Sequence, residues 1–195
     1  RQMCIRDRAL PAQAVYQAVR KRGGIVINTH PMIPRHTLHW MGATEAWSDA
    51  VTGNSADLID VDGPHTELLW FGLLNLGSKI GVSGHTDAAL GRQRTPSPGD
   101  MRVYCQAEKQ DYDAFVESMR DGNTMATNGG TIFAFLSVDG KGPGTEFSGL
   151  EKIVANLEIE SLHPVQSAAL YLNGERVAAF NAKGQKGTLK FEHNL

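Results

Sequence analysis

Within Lys79–Ala89, KIGVSGHTDAA, a histidine and an aspartate stand two positions apart directly after an apolar alternation. Ile80 and Val82 give the spacing of a short buried strand. Side chains two apart on a strand point the same way, so His85 and Asp87 share a face if the strand continues to them. In parallel α/β folds, ligands gather at the carboxyl ends of the strands. An imidazole and a carboxylate placed there are donors that zinc, manganese or iron accept. The same residues also read as a surface turn with Asp87 capping a helix, because short H-x-D matches arise often by chance.

A second histidine ends a strand earlier in the chain. Ile25, Val26 and Ile27 form a continuous apolar run, the pattern of a fully buried strand, and it stops at Asn28-Thr29-His30-Pro31. Pro31 cannot donate to a sheet ladder and holds His30 in extended geometry. His30 is therefore a candidate ligand, or else a core histidine bonded to backbone. A third strand, Leu58–Val61, puts Asp60 and Asp62 on a common face ahead of His65. Turn formation is the simpler account of these acidic residues. His36 and His39 sit beside Trp40 in the irregular loop Met32–Gly42, as surface or substrate-loop residues. Arg92 and Arg94 belong to a polar, Pro/Gly/Arg-rich loop over Ala88–Asp100. Their guanidinium groups could pair bidentately with a phosphate or carboxylate of a substrate, or be solvated.

These residues need elements to hold them. Leu10–Arg22 reads as a helix closed by Gly23-Gly24, Thr44–Val51 as a short helix, and Thr66–Leu76 as an apolar helix closed by Gly77. Arg102–Gln106 and Thr124–Thr127 read as strands around a helix that Asp111 or Asp113 caps and that runs to Arg120. The alternation of helices and strands predicts α/β architecture with a parallel sheet. After Gly130 the pattern changes. Ile132–Val138, Ile153–Ile159, Ala168–Leu172, Arg176–Phe180 and Thr188–Phe191 are β-like runs without helices between them. Asp139-Gly140 and Asn173-Gly174 are hairpin turn signals. This half is expected to be a small β-sandwich-like module over 131–195.

Composition excludes some functions. The net charge of -2 gives no general attraction to nucleic acid or a membrane surface. No apolar run approaches the ~20 residues of a membrane span. The two cysteines, Cys4 and Cys105, are too few for a disulfide scaffold and form no C-x-x-C metal pattern. Met3–Arg8, MCIRDR, looks like a sequencing-library transposase adapter read through into the coding frame. Residues 1–8 are accordingly set aside from fold reasoning as an artefact, and the chain reads as a piece of a longer protein.

Several segments occur in one order: GGIVINTHP, LLNLG, KIGVSGHTDAA, MRVYC, FVESMRDGNTMATNGG, FAFLSVDGKGPG and SLHPVQSAALYLNGERV. Together they resemble the PHP (polymerase and histidinol phosphatase) metallohydrolases, most nearly the carbaryl-hydrolase-like CehA/McbA branch. The resemblance spans nearly all of Ala9–Leu195. It implies a distorted (β/α)7 barrel, present here over 9–130 as its C-terminal part, with the β module appended. It further implies divalent metal ions (Zn, Mn or Fe), two or three in the full-length protein, that activate water to hydrolyse a phosphoester, carbamate or ester in a small-molecule substrate. His30 matches the family's "HP" histidine, and Asp87 the aspartate of its D-x-H pair. The histidine of that pair falls on Ala89, so one ligand is absent. His85, on the same strand face, could substitute as a ligand or act as catalytic proton donor. The family's early H-x-H pair does not occur in this chain and would lie upstream of Ala9, so residues 9–195 alone are expected to turn over weakly or not at all. Two other readings stay open: a degenerate metal-binding relative, or a carbohydrate- or surface-binding protein whose working part is the β module.

Overall fold

The computed structural model describes residues 12–29, 31, 56–86, 88, 97–129, 132–149 and 152–195. The helix anticipated over Thr44–Val51 lies outside the described residues, as do most of the loop 88–100 and the boundary residue Gly130.

The first part is α/β in character. Helix α1 (Ala12–Arg20) leads into strand β1 (Ile27–Asn28), which pairs in parallel with β2 (Leu58–Asp60), itself parallel to β3 (Gly81–Ser83). Helix α2 (Pro64–Asn75) crosses between β2 and β3. Pro64 stands at its first turn, where a missing N–H costs nothing. Both faces of β2 are buried, and alternation decides what each one meets. Ile59 and Ile80 turn toward α2 and close a core with Ala56, Leu69 and Leu73. Asp57 fastens the entry side: its carboxylate accepts from Arg20 Nε and Nη2 at 3.1 and 3.0 Å and from the Val26 amide at 2.7 Å.

The chain does not continue as a barrel. Strands β4 (Arg102–Cys105) and β5 (Thr124–Thr127) pair antiparallel with each other, although helix α3 (Tyr112–Arg120) stands between them. The reason lies where α3 ends. Ser118 Oγ donates to the Gln106 carbonyl at 2.8 Å, Asn123 Nδ2 donates to the same oxygen at 2.9 Å, and the Gln106 amide donates to Asn123 O at 3.2 Å. These bonds return the chain beside the point where β4 stopped, so β5 can only run back along it. A parallel crossover would have to carry the chain to the far end of the strand before re-entering. The β4–β5 pair abuts the parallel sheet, with Thr124 Oγ1 donating to Val82 O at 2.7 Å.

The second part is a three-stranded antiparallel sheet in the order β6 (Ile132–Val138), β7 (Val154–Leu172), β8 (Glu175–Asn194). Asp139-Gly140 and Asn173-Gly174 form the turns, with positive φ at all four residues, as left-handed hairpin turns require. The four runs expected as separate strands prove to be two. Strand β7 passes through Pro164 and β8 through Lys183-Gly184, and the register shifts between Ser161 and Ser167 mark a corner. The outer half of the ribbon folds back there. Phe180 and Phe191 lie on one strand and would be roughly 36 Å apart if it were straight, yet their ring centroids are 4.8 Å apart.

Two expectations of fold are thereby corrected. Strands hold 43% of the described residues and three helices hold 20%, in three small sheets, and there is no (β/α)7 barrel among them. The β module is one sheet with a doubled-over ribbon and not a sandwich of two sheets. The barrel expectation took strand–helix–strand order as a parallel crossover, and the sandwich expectation took each corner within β7 and β8 as the end of a strand.

A buried carboxylate and histidine at the edge of the parallel sheet

Strands β2 and β3 end side by side, with Asp60 in register with Ser83. Asp60 projects to the face opposite the Ile59 core and is 2% exposed. Two residues past Ser83, on the same side of the strand, His85 reaches across, and its Nδ1 meets Asp60 Oδ2. Both carboxylate oxygens and Nδ1 are buried, while the His85 side chain as a whole is 34% exposed. The imidazole is thus half in and half out, with its inner nitrogen on the acid. With Nδ1 engaged, chemistry toward a ligand falls to Nε2.

The segment around His85 is tied down by its neighbours. Thr86 Oγ1 donates to Met101 O at 2.9 Å and accepts from the Gly99 and Met101 amides at 3.0 and 3.3 Å. Gly84 leaves room for the adjacent strand: a Cβ there would lie 3.1 Å from Arg102 O.

Sequence reasoning left Asp60 and Asp62 undivided, and the geometry separates them. Asp62 is exposed and belongs to the start of α2. Its Oδ1 accepts from Thr66 Oγ1 at 2.8 Å, and its amide donates to the same hydroxyl at 3.0 Å. Asp60 is the residue that faces His85. The signal that could have found it is the register of two parallel strands, which no local pattern records. Of the other candidates, His30, His36, Asp87, Arg92 and Arg94 lie outside the described residues, as does Ala89. Pro31, next to His30, is fully buried.

A carboxylate and an imidazole are two donors suited to a divalent transition metal. No group of three or more His, Cys, Asp or Glu side chains that could hold a metal occurs among the described residues. Asp60 and His85 are two such donors, one short of the three protein ligands of a catalytic zinc site.

Comparison with family models, with curated proteins and with solved structures finds no match to this chain.

Proposed function

We propose that the chain carries the chemistry of a metal-dependent hydrolase acting on a phosphoester, carbamate or ester bond. The supporting observation is the buried Asp60 carboxylate against His85 Nδ1, at the edge where parallel strands end. The segments resembling PHP hydrolases point to the same chemistry; the barrel of that family is not part of the proposal. A bound divalent cation supplies a water acidic enough to be hydroxide near neutral pH and a positive charge for the attacked oxygen.

The chain's own residues would divide the work as follows. His85 is a ligand through Nε2. Asp60 is a positioning residue that fixes the imidazole tautomer and ring orientation, the usual role of a carboxylate behind a metal-bound histidine. His30 and Asp87 are the further ligands this reading assigns, and His36, Arg92 and Arg94 its substrate contacts.

The test is metal affinity, read by competition with a chromogenic chelator, alongside hydrolysis of 4-nitrophenyl phosphate and 4-nitrophenyl acetate. His85→Ala should abolish stoichiometric Zn2+ or Mn2+ binding. Asp60→Asn should weaken it about 10–100-fold, the range for losing such a supporting partner. Failure of the unaltered protein to bind either ion, or unchanged affinity in His85→Ala, would overturn the assignment. Metal binding without turnover would support the ligand set and match the weak or absent turnover expected of residues 9–195 alone, whereas turnover that persists without metal would reject the metal-dependent hydrolase.

A further inference from the structure

A cavity of about 930 Å³ lies away from the Asp60–His85 pair, and neither residue lines it. It opens between α2, β3, the β4–β5 pair and the first strand of the β module. Such a volume is within the ~300–1,000 Å³ of small-molecule sites. Its walls are mostly apolar and include four aromatic side chains, Trp70, Tyr104, Phe133 and Phe135. Tyr104 and Phe133 meet edge-on with centroids 4.9 Å apart, and Phe133 and Phe135 stack at 6.5 Å with planes 8° from parallel. Trp70 lines the opposite side, its indole N–H already spent on Ile80 O at 2.9 Å.

Large apolar side chains rim this space while facing water. Phe135 is 48%, Leu74 39% and Leu136 37% exposed. Apolar area left wet around a concavity is what a bound molecule would cover. At the rim Lys79 Nζ is 2.6 Å from Glu146 Oε1, and Glu67, Arg120 and Asp121 also line the cavity. Tyr104 brings a polar handle to the wall beside its ring contact with Phe133. The Tyr104 hydroxyl accepts from Arg102 Nη1 at 3.2 Å, which leaves its own O–H to donate.

We infer that this cavity is a binding site for a planar aromatic molecule bearing one hydrogen-bond acceptor. The flat parallel rings of Phe133 and Phe135 favour a planar ligand. The acceptor goes to the Tyr104 hydroxyl. This site is separate from the proposed metal site and does not depend on it.

The probe is 6-propionyl-2-(dimethylamino)naphthalene, a planar aromatic ketone whose emission brightens and shifts to the blue out of water, titrated into the full chain. Saturable binding at one site per chain is expected. Leu136→Glu should weaken it at least tenfold, and Val177→Glu, equally exposed on the outer ribbon, should leave it unchanged. Cys105 gives a second readout, because its half-buried thiol also lines the cavity. In a Cys4→Ser background, the probe should slow reaction of Cys105 with 4,4′-dithiodipyridine severalfold, whatever becomes of the Leu136 variant. Non-saturable binding, equal losses in both glutamate variants, or an unprotected Cys105 would each overturn the inference.

Discussion

The parallel region and the ribbon bury polar groups in opposite ways. In the ribbon, buried Ser161 is satisfied within its own turn: Oγ donates to His163 O at 2.7 Å and accepts from the His163 amide at 3.1 Å. In the parallel region, buried Asp60 meets a side chain that follows a different strand. The strands differ as sharply, at two or three residues each in β1–β3 against 19 and 20 in β7 and β8. Long antiparallel strands bond to each other along their whole length and need nothing at their ends. Short parallel strands stop together, and their ends bring side chains from distant parts of the sequence to one edge. That edge can do chemistry, and the ribbon can hold shape.

The division can be broken most forcefully in the two cores. Leu73 is fully buried and packs with Ile59, Leu69 and Ile80, whereas Leu189 is 8% exposed beside Ile159 and Val165. Leu73→Ala should cost about 3 kcal/mol and Leu189→Ala about 2 kcal/mol in urea unfolding, from lost transfer energy plus cavity formation. Only Leu73→Ala should also reduce metal affinity, since α2 supports the strands that present Asp60 and His85. Equal losses of affinity in the two variants would dissolve the distinction between site and scaffold.

Glycines sharpen the same contrast at lower cost. A Cβ on Gly81 would lie 2.8 Å from Gly122 Cα and 2.9 Å from Leu58 Cδ2, where backbone must give way. Gly81→Ala should therefore destabilise by about 2 kcal/mol through overpacking. Gly187 faces open space but holds φ at +87°. There Ala should cost about 1 kcal/mol, from conformation alone. Thermal unfolding of the two variants checks the order. If Gly187→Ala were the worse, backbone shape at the ribbon corner would matter more than close approach at the sheet.

What could be read from the sequence was local. Thr124–Thr127 and the Asn173-Gly174 turn are specified by neighbouring residues, and Asp111 caps α3 by accepting from the Ala114 amide at 2.8 Å. His85 was legible for the same reason, as a polar residue directly after an apolar alternation. Its partner was not, because Asp60 and Asp62 carry the same local signal and only the register with β3 separates them. The antiparallel sense of β4 and β5 was hidden likewise. It rests on Ser118 and Asn123 reaching back to Gln106, and strand–helix–strand order alone suggests a parallel crossover. In β7 and β8, Pro164 and Lys183-Gly184 fall in the gaps between the runs expected as separate strands. They are corners within continuous strands, and corner and break share the same residues.

The smallest expected effect bears on how far the two regions are separate at all. The ribbon tip returns to the parallel region and rests on α2. Tyr171 stacks on Phe71 with centroids 5.6 Å apart, and Asn75 Nδ2 donates to Asn173 O at 3.2 Å. An aromatic pair of this kind contributes about 0.5–1.5 kcal/mol beyond the area it buries. A double-mutant cycle of Phe71→Ala and Tyr171→Ala, followed by urea unfolding, isolates that coupling. A coupling near 1 kcal/mol would mean that scaffold and site stabilise each other through the tip, so that ribbon variants reach α2 and, behind it, Asp60. A coupling near zero would leave the tip resting on α2 without consequence, and the two regions would then answer to mutation independently.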